Sequence, residues 1–265
     1  MESETTTFNG VETRVRSFQI TTSTSQKTAV RISEPPLRSE NLSLDTWAAS
    51  TVLADTLHSL SIDFPAASSI ENESVLPILE IGAGTALVGI TAAYIWAQTV
   101  VLTDLDPIVP GLDLNVRLNE HLLRRRTTTS RMRTADQEGE EGLLASTGTL
   151  DWAHPSDLRL TDRSFLAGRK PKSAHVILAA DVIYSAEHPA MLVDVFTYWL
   201  SKNTTSRAII CLALRAAYLD EINEFWDRME KAGMVCVSQG QERADEKVFD
   251  DEVLCEWSVW GWKDV

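Results

Sequence analysis

Glu80, Gly82 and Gly84 stand in the run Glu80-Ile81-Gly82-Ala83-Gly84-Thr85, which closes an apolar stretch beginning at Val75 and opens directly into a helical pattern. In an open α/β sheet, ligands sit beyond the carboxyl ends of the strands, and a glycine-rich turn there admits a ligand against the backbone. Gly82 and Gly84 supply that approach, with Ala83 between them. The third glycine of a dinucleotide fingerprint is missing, because Leu87 stands where it would fall. A Gly-x-Gly alone also fits a tight turn that binds nothing. Glu80 adds chemistry: a carboxylate at the end of a buried strand needs a partner, and the ammonium of an amino-acid-like ligand, directly or through water, would be one.

A second apolar run ends at Asp104, about twenty residues beyond the first glycine. An acid at that place accepts hydrogen bonds from both ribose hydroxyls of any adenosine ligand, so it does not separate a nicotinamide cofactor from S-adenosylmethionine. Asp106 precedes Pro107 at a helix start and reads as a cap. Asp181 ends a later apolar run, at the crevice where function sits in such sheets. His58, His121, His154, His175 and His188 share no spacing, and no metal site is expected.

These turns require a sheet to hold them. Val75 to Ile81, Thr99 to Thr103, Leu143 to Leu150, Val176 to Ala180 and Ala208 to Leu214 read as strands. Thr85 to Trp96, Ile108 to Leu123, Pro189 to Leu200 and Tyr218 to Lys231 read as helices between them, and Leu44 to Leu60 as a helix ahead of them. Strands alternating with helices imply parallel βαβ crossovers. Met234 to Ser238 and Val253 to Trp260 add an antiparallel C-terminal hairpin, with Trp257, Trp260 and Trp262 as edge-strand core. The expected fold is a doubly wound, mostly parallel seven-stranded α/β sheet.

Upstream, weak alternation over Val15 to Ile20 and Thr28 to Ile32 predicts a small β-ribbon in an N-terminal extension, residues 1–43, before the main domain, residues 44–265. Arg124 to Gly142 carries too many charges and glycines for core and is expected to be a mobile insertion.

Composition narrows the partners. The 24 basic residues against 38 acidic ones give a net charge of -14, which repels a phosphate backbone and favours a basic protein surface over nucleic acid. Cys211, Cys236 and Cys255 are odd in number, far apart and in apolar runs, so they read as reduced core residues of a cytosolic or nuclear protein, and a cytoplasmic location is expected. The first twenty residues hold no apolar signal region, and no run reaches membrane-spanning length.

One ordered series carries a resemblance: Thr46-Trp47-Ala48-Ala49-Ser50, Leu79 to Thr85, Leu102-Thr103-Asp104, Asn115-Val116-Arg117-Leu118-Asn119, Leu150-Asp151-Trp152 and Ala180-Asp181-Val182-Ile183-Tyr184. It resembles the seven-β-strand protein-lysine methyltransferases called lysine methyltransferase family 16, over about Leu42 to Trp260. It is most similar to the fungal members acting on elongation factor 1A. The resemblance implies a Rossmann-like methyltransferase fold, S-adenosylmethionine as cofactor, a protein substrate and a monomer. It puts Trp47 beside the cofactor, Glu80, Gly82, Ala83 and Gly84 around its amino-acid end, Asp104 with Leu105 at the ribose, Trp152 against the adenine, and the Ala180 backbone in the same pocket. Asp181 and Tyr184 match the family's Asp-x-x-Tyr signature facing the substrate lysine. The stretch between Asn119 and Leu150 is longer than the family pattern. Two other readings share the cofactor site: methylation of a small molecule or another protein side chain, and a non-catalytic adenosyl-binding interaction module.

Overall fold

The computed structural model describes residues 4–39, 42–66, 74–124, 142–162, 164–166, 170–249 and 254–265. Strands β1 (Thr5–Phe8), β2 (Val11–Ser23) and β3 (Gln26–Ser33) form an antiparallel ribbon. The sequence signalled β2 and β3; β1 is joined to them through Asn9 and Gly10, whose positive φ values of 49° and 80° suit a two-residue hairpin. The ribbon is not a loose appendage. Ile20, Val30 and Ile32 join the main core.

Two short strands follow, β4 (Arg38–Ser39) and β5 (Leu42–Ser43), paired antiparallel. Helix α1 (Ala48–Thr56), continued by a 3-10 turn over Leu57–Ser59, starts four residues later than the apolar spacing predicts. Thr46 is committed elsewhere: its N–H donates to Glu34 and its hydroxyl meets that of Thr85. Trp47 is therefore an extended N-cap residue, with φ -85° and ψ 158°, and not part of the helix.

The main sheet holds β6 (Val75–Glu80), β7 (Val100–Asp104), β8 (Ala145–Thr149), β9 (Arg159–Leu160), β10 (Ser173–Ala180), β11 (Arg207–Ala213), β12 (Met234–Arg243) and β13 (Leu254–Trp262). Its order is β12-β13-β11-β10-β6-β7-β8-β9. Five central strands are parallel and β9, β12 and β13 complete it by antiparallel pairing. Seven strands were expected; the eighth, β9, is two residues long and too short to show periodicity. Gly148 lets it approach, since a Cβ there would lie 2.7 Å from the Arg159 carbonyl. β13 lies inside the sheet and β12 forms the edge, so Trp257, Trp260 and Trp262 are not edge-strand residues; Trp257 faces one core, Trp260 and Trp262 the other.

Helices α2 (Leu87–Trp96), α3 (Val109–Leu118), α4 (Glu120–Leu123), α5 (His188–Trp199) and α6 (Leu219–Lys231) complete the fold. Alternation along β11 shows how both faces are covered. Ile209, Cys211 and Ala213 pack with α1 and α2, and Ala208, Ile210 and Leu212 with α5 and α6. The single helix expected from Ile108 to Leu123 breaks at Asn119, whose side chain bonds both the N–H and the C=O of Arg31; Asn115, one turn earlier, does the same to Ser33 and also reaches the Thr85 carbonyl. The two side-chain amides thus stand in for a neighbouring strand along β3, which gives the Asn115 to Asn119 motif a physical meaning. Asp106 is not a cap either: it accepts from Thr149 and pairs with Arg159, tying the start of α3 to β8 and β9.

All three cysteines are free thiols, Cys211 and Cys255 buried and Cys236 partly so. Among the described residues no helix is long and apolar enough to cross a membrane. The insertion expected from Arg124 to Gly142 lies, apart from those two residues, outside the described part of the chain; Arg124 and Leu143 bridge across its base.

Candidate active site

The chain runs outward from β6 through β7 to β8, then returns to β10 on the other side of β6 and continues to β11. The carboxyl ends of β6 and β10 therefore flank the point where the winding reverses, which opens a crevice. After β6 the backbone turns through Gly82, Gly84 and Ala86, with φ of 59°, 52° and 64°. Gly82 is required twice over: a Cβ would be in left-handed backbone and only 2.7 Å from the Trp152 indole. Gly84 faces open space, and its N–H donates to Asp104 Oδ2 at 2.8 Å, while Leu105 N–H donates to Oδ1 at 2.8 Å. Two backbone donors thus fix the Asp104 carboxylate at the mouth of the turn.

One cavity of about 800 Å³, its open mouth included, is lined by Trp47, Gly82, Gly84, Asp104, Leu105, Trp152, Ala180, Asp181 and Tyr184. Residues scattered over more than half the sequence meet there. Two expected members do not. Ala83 packs into the core, its N–H donating to the Thr103 carbonyl. Glu80 is 2 % exposed and turns beneath α2, where its carboxylate accepts the Gly89 N–H at 3.0 Å. Burial pushes its carboxyl up from 4.5 to about 8; the Gly89 N–H opposes the rise and the Asp104 charge adds to it. Buried beneath α2, Glu80 does not line the cavity as the strand-end position suggested.

Gly89 makes room for it, because a Cβ would overlap both Leu102 and the Glu80 carboxylate. Gly89→Ala is expected to lower stability by about 1–3 kcal/mol through overpacking. Urea unfolding measures this directly, and an unchanged midpoint would refute the packing argument.

The cavity also contains residues that sequence patterns did not single out. His188 opens α5 with Nδ1 3.0 Å from the Val182 carbonyl, and its ring meets Trp152 and Tyr184 edge-on, with centroids 5.2 and 4.2 Å away. It wedges the two aromatic walls apart. Leu42, Ser43 and Asp45, from β5 and the connector to α1, also line the cavity. Asp181, at φ 60°, gives both carboxylate oxygens to Arg215. The guanidinium compensates its charge at the cavity wall.

Residues 25–232 match the family described as lysine methyltransferase. The chain belongs to the lysine methyltransferase family. Over 208 residues it is 31% identical to protein-lysine N-methyltransferase EFM2 of Saccharomyces cerevisiae, covering 73% of this chain and 42% of that one. Over 252 residues it is 30% identical to the family's protein-lysine N-methyltransferase rrg1 of Schizosaccharomyces pombe, covering 94% of this chain and 70% of that one. The chain thus spans less than half the length of the first relative. Magnesium protoporphyrin IX methyltransferase from Synechocystis PCC 6803, solved with bound SAH, aligns with 80% of this chain and 82% of its own at 12% identity and a TM-score of 0.45. The fold assignment for this family member rests on the strand order above.

Proposed function

We propose that the protein is an S-adenosylmethionine-dependent protein-lysine N-methyltransferase acting on elongation factor 1A, as a cytoplasmic monomer. The observation that carries the reading is the shared cavity at the switch point, lined together by Gly82, Gly84, Asp104, Trp152, Asp181 and Tyr184. Family membership and the printed names of both relatives support lysine as the acceptor. The elongation factor is supported by the resemblance of the Thr46-Trp47 segment, and the net charge of -14 suits a basic target surface.

The donor set fits the cofactor. Asp104 lines the cavity with its carboxylate oriented by two backbone N–H groups, as a pair of hydroxyls would require, the two glycines let a ligand lie against the turn, and Trp47 and Trp152 offer aromatic faces. When bound, S-adenosylmethionine would supply a sulfonium methyl group to a neutral lysine amine and leave as its thioether product, the one proton released being that which the lysine ammonium gives to solvent before attack. The protein's task is alignment, worth roughly 7–11 kcal/mol in well-oriented reactions. A lysine begins with a pKa of about 10.4 and must shed its proton before it attacks. Asp181, already paired with Arg215, can accept a hydrogen bond from the amine without presenting a bare negative charge that would hold it as ammonium. Tyr184 walls the approach.

Asp104→Ala is expected to weaken cofactor binding by about 1.5–3 kcal/mol, the loss of hydrogen bonds to a charged group. Calorimetric titration with S-adenosylmethionine and its demethylated product measures it; binding of NAD with no heat from either would refute the cofactor. Incubation with methyl-labelled cofactor, a cell lysate and purified elongation factor 1A tests the rest. Label on the factor's lysines is expected. Label on another protein refutes that target, and label only on small molecules refutes protein methylation.

A further inference from the structure

Arg215 lies two residues beyond the end of β11, and its side chain reaches Asp181 just past the end of β10. Its Nη1 donates to Asp181 Oδ1 at 2.7 Å and its Nη2 to Oδ2 at 2.6 Å, a two-pronged pair with 12% and 4% of the side chains exposed. The same guanidinium lies 5.5 Å from the centre of the Trp47 ring. Asp181 is fixed to β11 a second time, through its N–H to the Cys211 carbonyl at 2.9 Å. Its backbone is left-handed at φ 60°, a conformation uncommon for non-glycine residues that aspartate tolerates better than most. A buried ion pair recovers little net stability against its desolvation, and what a two-pronged arginine–carboxylate pair supplies is orientation.

We propose that Arg215 is a positioning residue: it locks Asp181, and with it the turn to Tyr184, into the orientation that meets the substrate amine, while Trp47 backs the guanidinium. Asp181 then acts as one half of a unit and not as an isolated carboxylate. The kinetic part of this inference rests on the lysine methyltransferase reading; the structural part does not.

The test uses the full chain with Arg215→Ala and Arg215→Lys, read by amide hydrogen exchange and by methylation kinetics. Exchange from Val182 to Tyr184 is expected to speed up about tenfold or more in both variants while β10 and β11 keep their protection. Lysine retains the charge but not the fork, so it should not restore the parent behaviour. The kcat should fall about 100-fold, as for a small misplacement of reacting groups, with KM for the protein substrate and cofactor affinity within about threefold. Adding Arg215→Ala to Asp181→Ala should lower kcat no further than Asp181→Ala alone. If Arg215→Ala fails to fold around an unpaired buried carboxylate, Arg215→Gln with Asp181→Asn, which buries no charge, is measured in its place with the same faster exchange expected. Unchanged exchange in the turn, full activity of Arg215→Lys, or multiplying losses in the double variant would overturn the inference. A parent chain that methylates no protein refutes the proposed function instead, and exchange in the turn then decides the role of Arg215 by itself.

Discussion

Glu80→Gln is expected to abolish a pH-dependent loss of stability amounting to about 5 kcal/mol, the equivalent of moving a carboxyl from 4.5 to about 8 on folding. The sign follows from proton binding. Below 4.5 both folded and unfolded chains carry the proton and burial of the neutral acid is tolerated. Between 4.5 and about 8 the unfolded chain releases its proton while the folded chain retains it, so stability falls as pH rises; above that window the full loss has been incurred. Glutamine has nothing to release, keeps an acceptor for the Gly89 N–H and fills the same space. The difference in unfolding free energy between the two proteins, measured in urea at several pH values, isolates this one group because every other titration is common to both. It should favour the variant increasingly from pH 5 to 8.5. A difference that does not change with pH would mean that Glu80 is not buried as a neutral acid.

Glu80 also shows where sequence reading stops. The strand, the turn and the acid before it were legible because each is a local pattern: an apolar run, two glycines, a carboxylate at the boundary. Which way the carboxylate turns depends on the missing side chain of Gly89 on the next helix, and nothing near Glu80 in sequence signals that. Arg215 stands 34 residues beyond Asp181, and the connector holding Asp45 comes before the first strand of the main sheet, so Arg215 meets Asp181 and Asp45 meets the cavity only through tertiary packing. Asn115 and Asn119 were visible as a motif, but their purpose appears only once β3 lies against α3. The alternating strands and helices, by contrast, repeat a period at every step, and they fixed the doubly wound sheet and its switch point in advance. The elements missed or broken are β1, β9 and the helix at Asn119, short or interrupted pieces whose pairing is long-range, and the placing of β13 inside the sheet likewise depends on a partner, β11, distant in sequence.

Asp181→Ala is expected to reduce methyl transfer at least about 1,000-fold, roughly 4 kcal/mol in the barrier, while cofactor affinity stays within about threefold. Two losses combine in the variant: the acceptor facing the amine, and the orientation of the turn that carries Tyr184. The cofactor side is spared because Asp104, Gly84 and Leu105 are bonded to one another and not to Asp181. Alanine at φ 60° also loses the local polar contacts that make aspartate tolerable in left-handed backbone, so part of the effect is conformational. Asp181→Asn separates the parts: it tolerates the same backbone and keeps one acceptor for Arg215, yet it cannot pair with both prongs. An activity between those of parent and alanine variant is expected. Tyr184→Phe removes only the hydroxyl from a ring held edge-on by His188 and should change the protein-substrate KM more than cofactor binding. Single-turnover transfer from labelled cofactor, with affinity measured separately by calorimetry, keeps the two sites apart. Parent rates in both Asp181→Ala and Tyr184→Phe would place the substrate elsewhere, and a parallel collapse of cofactor affinity would place Asp181 in the cofactor site instead.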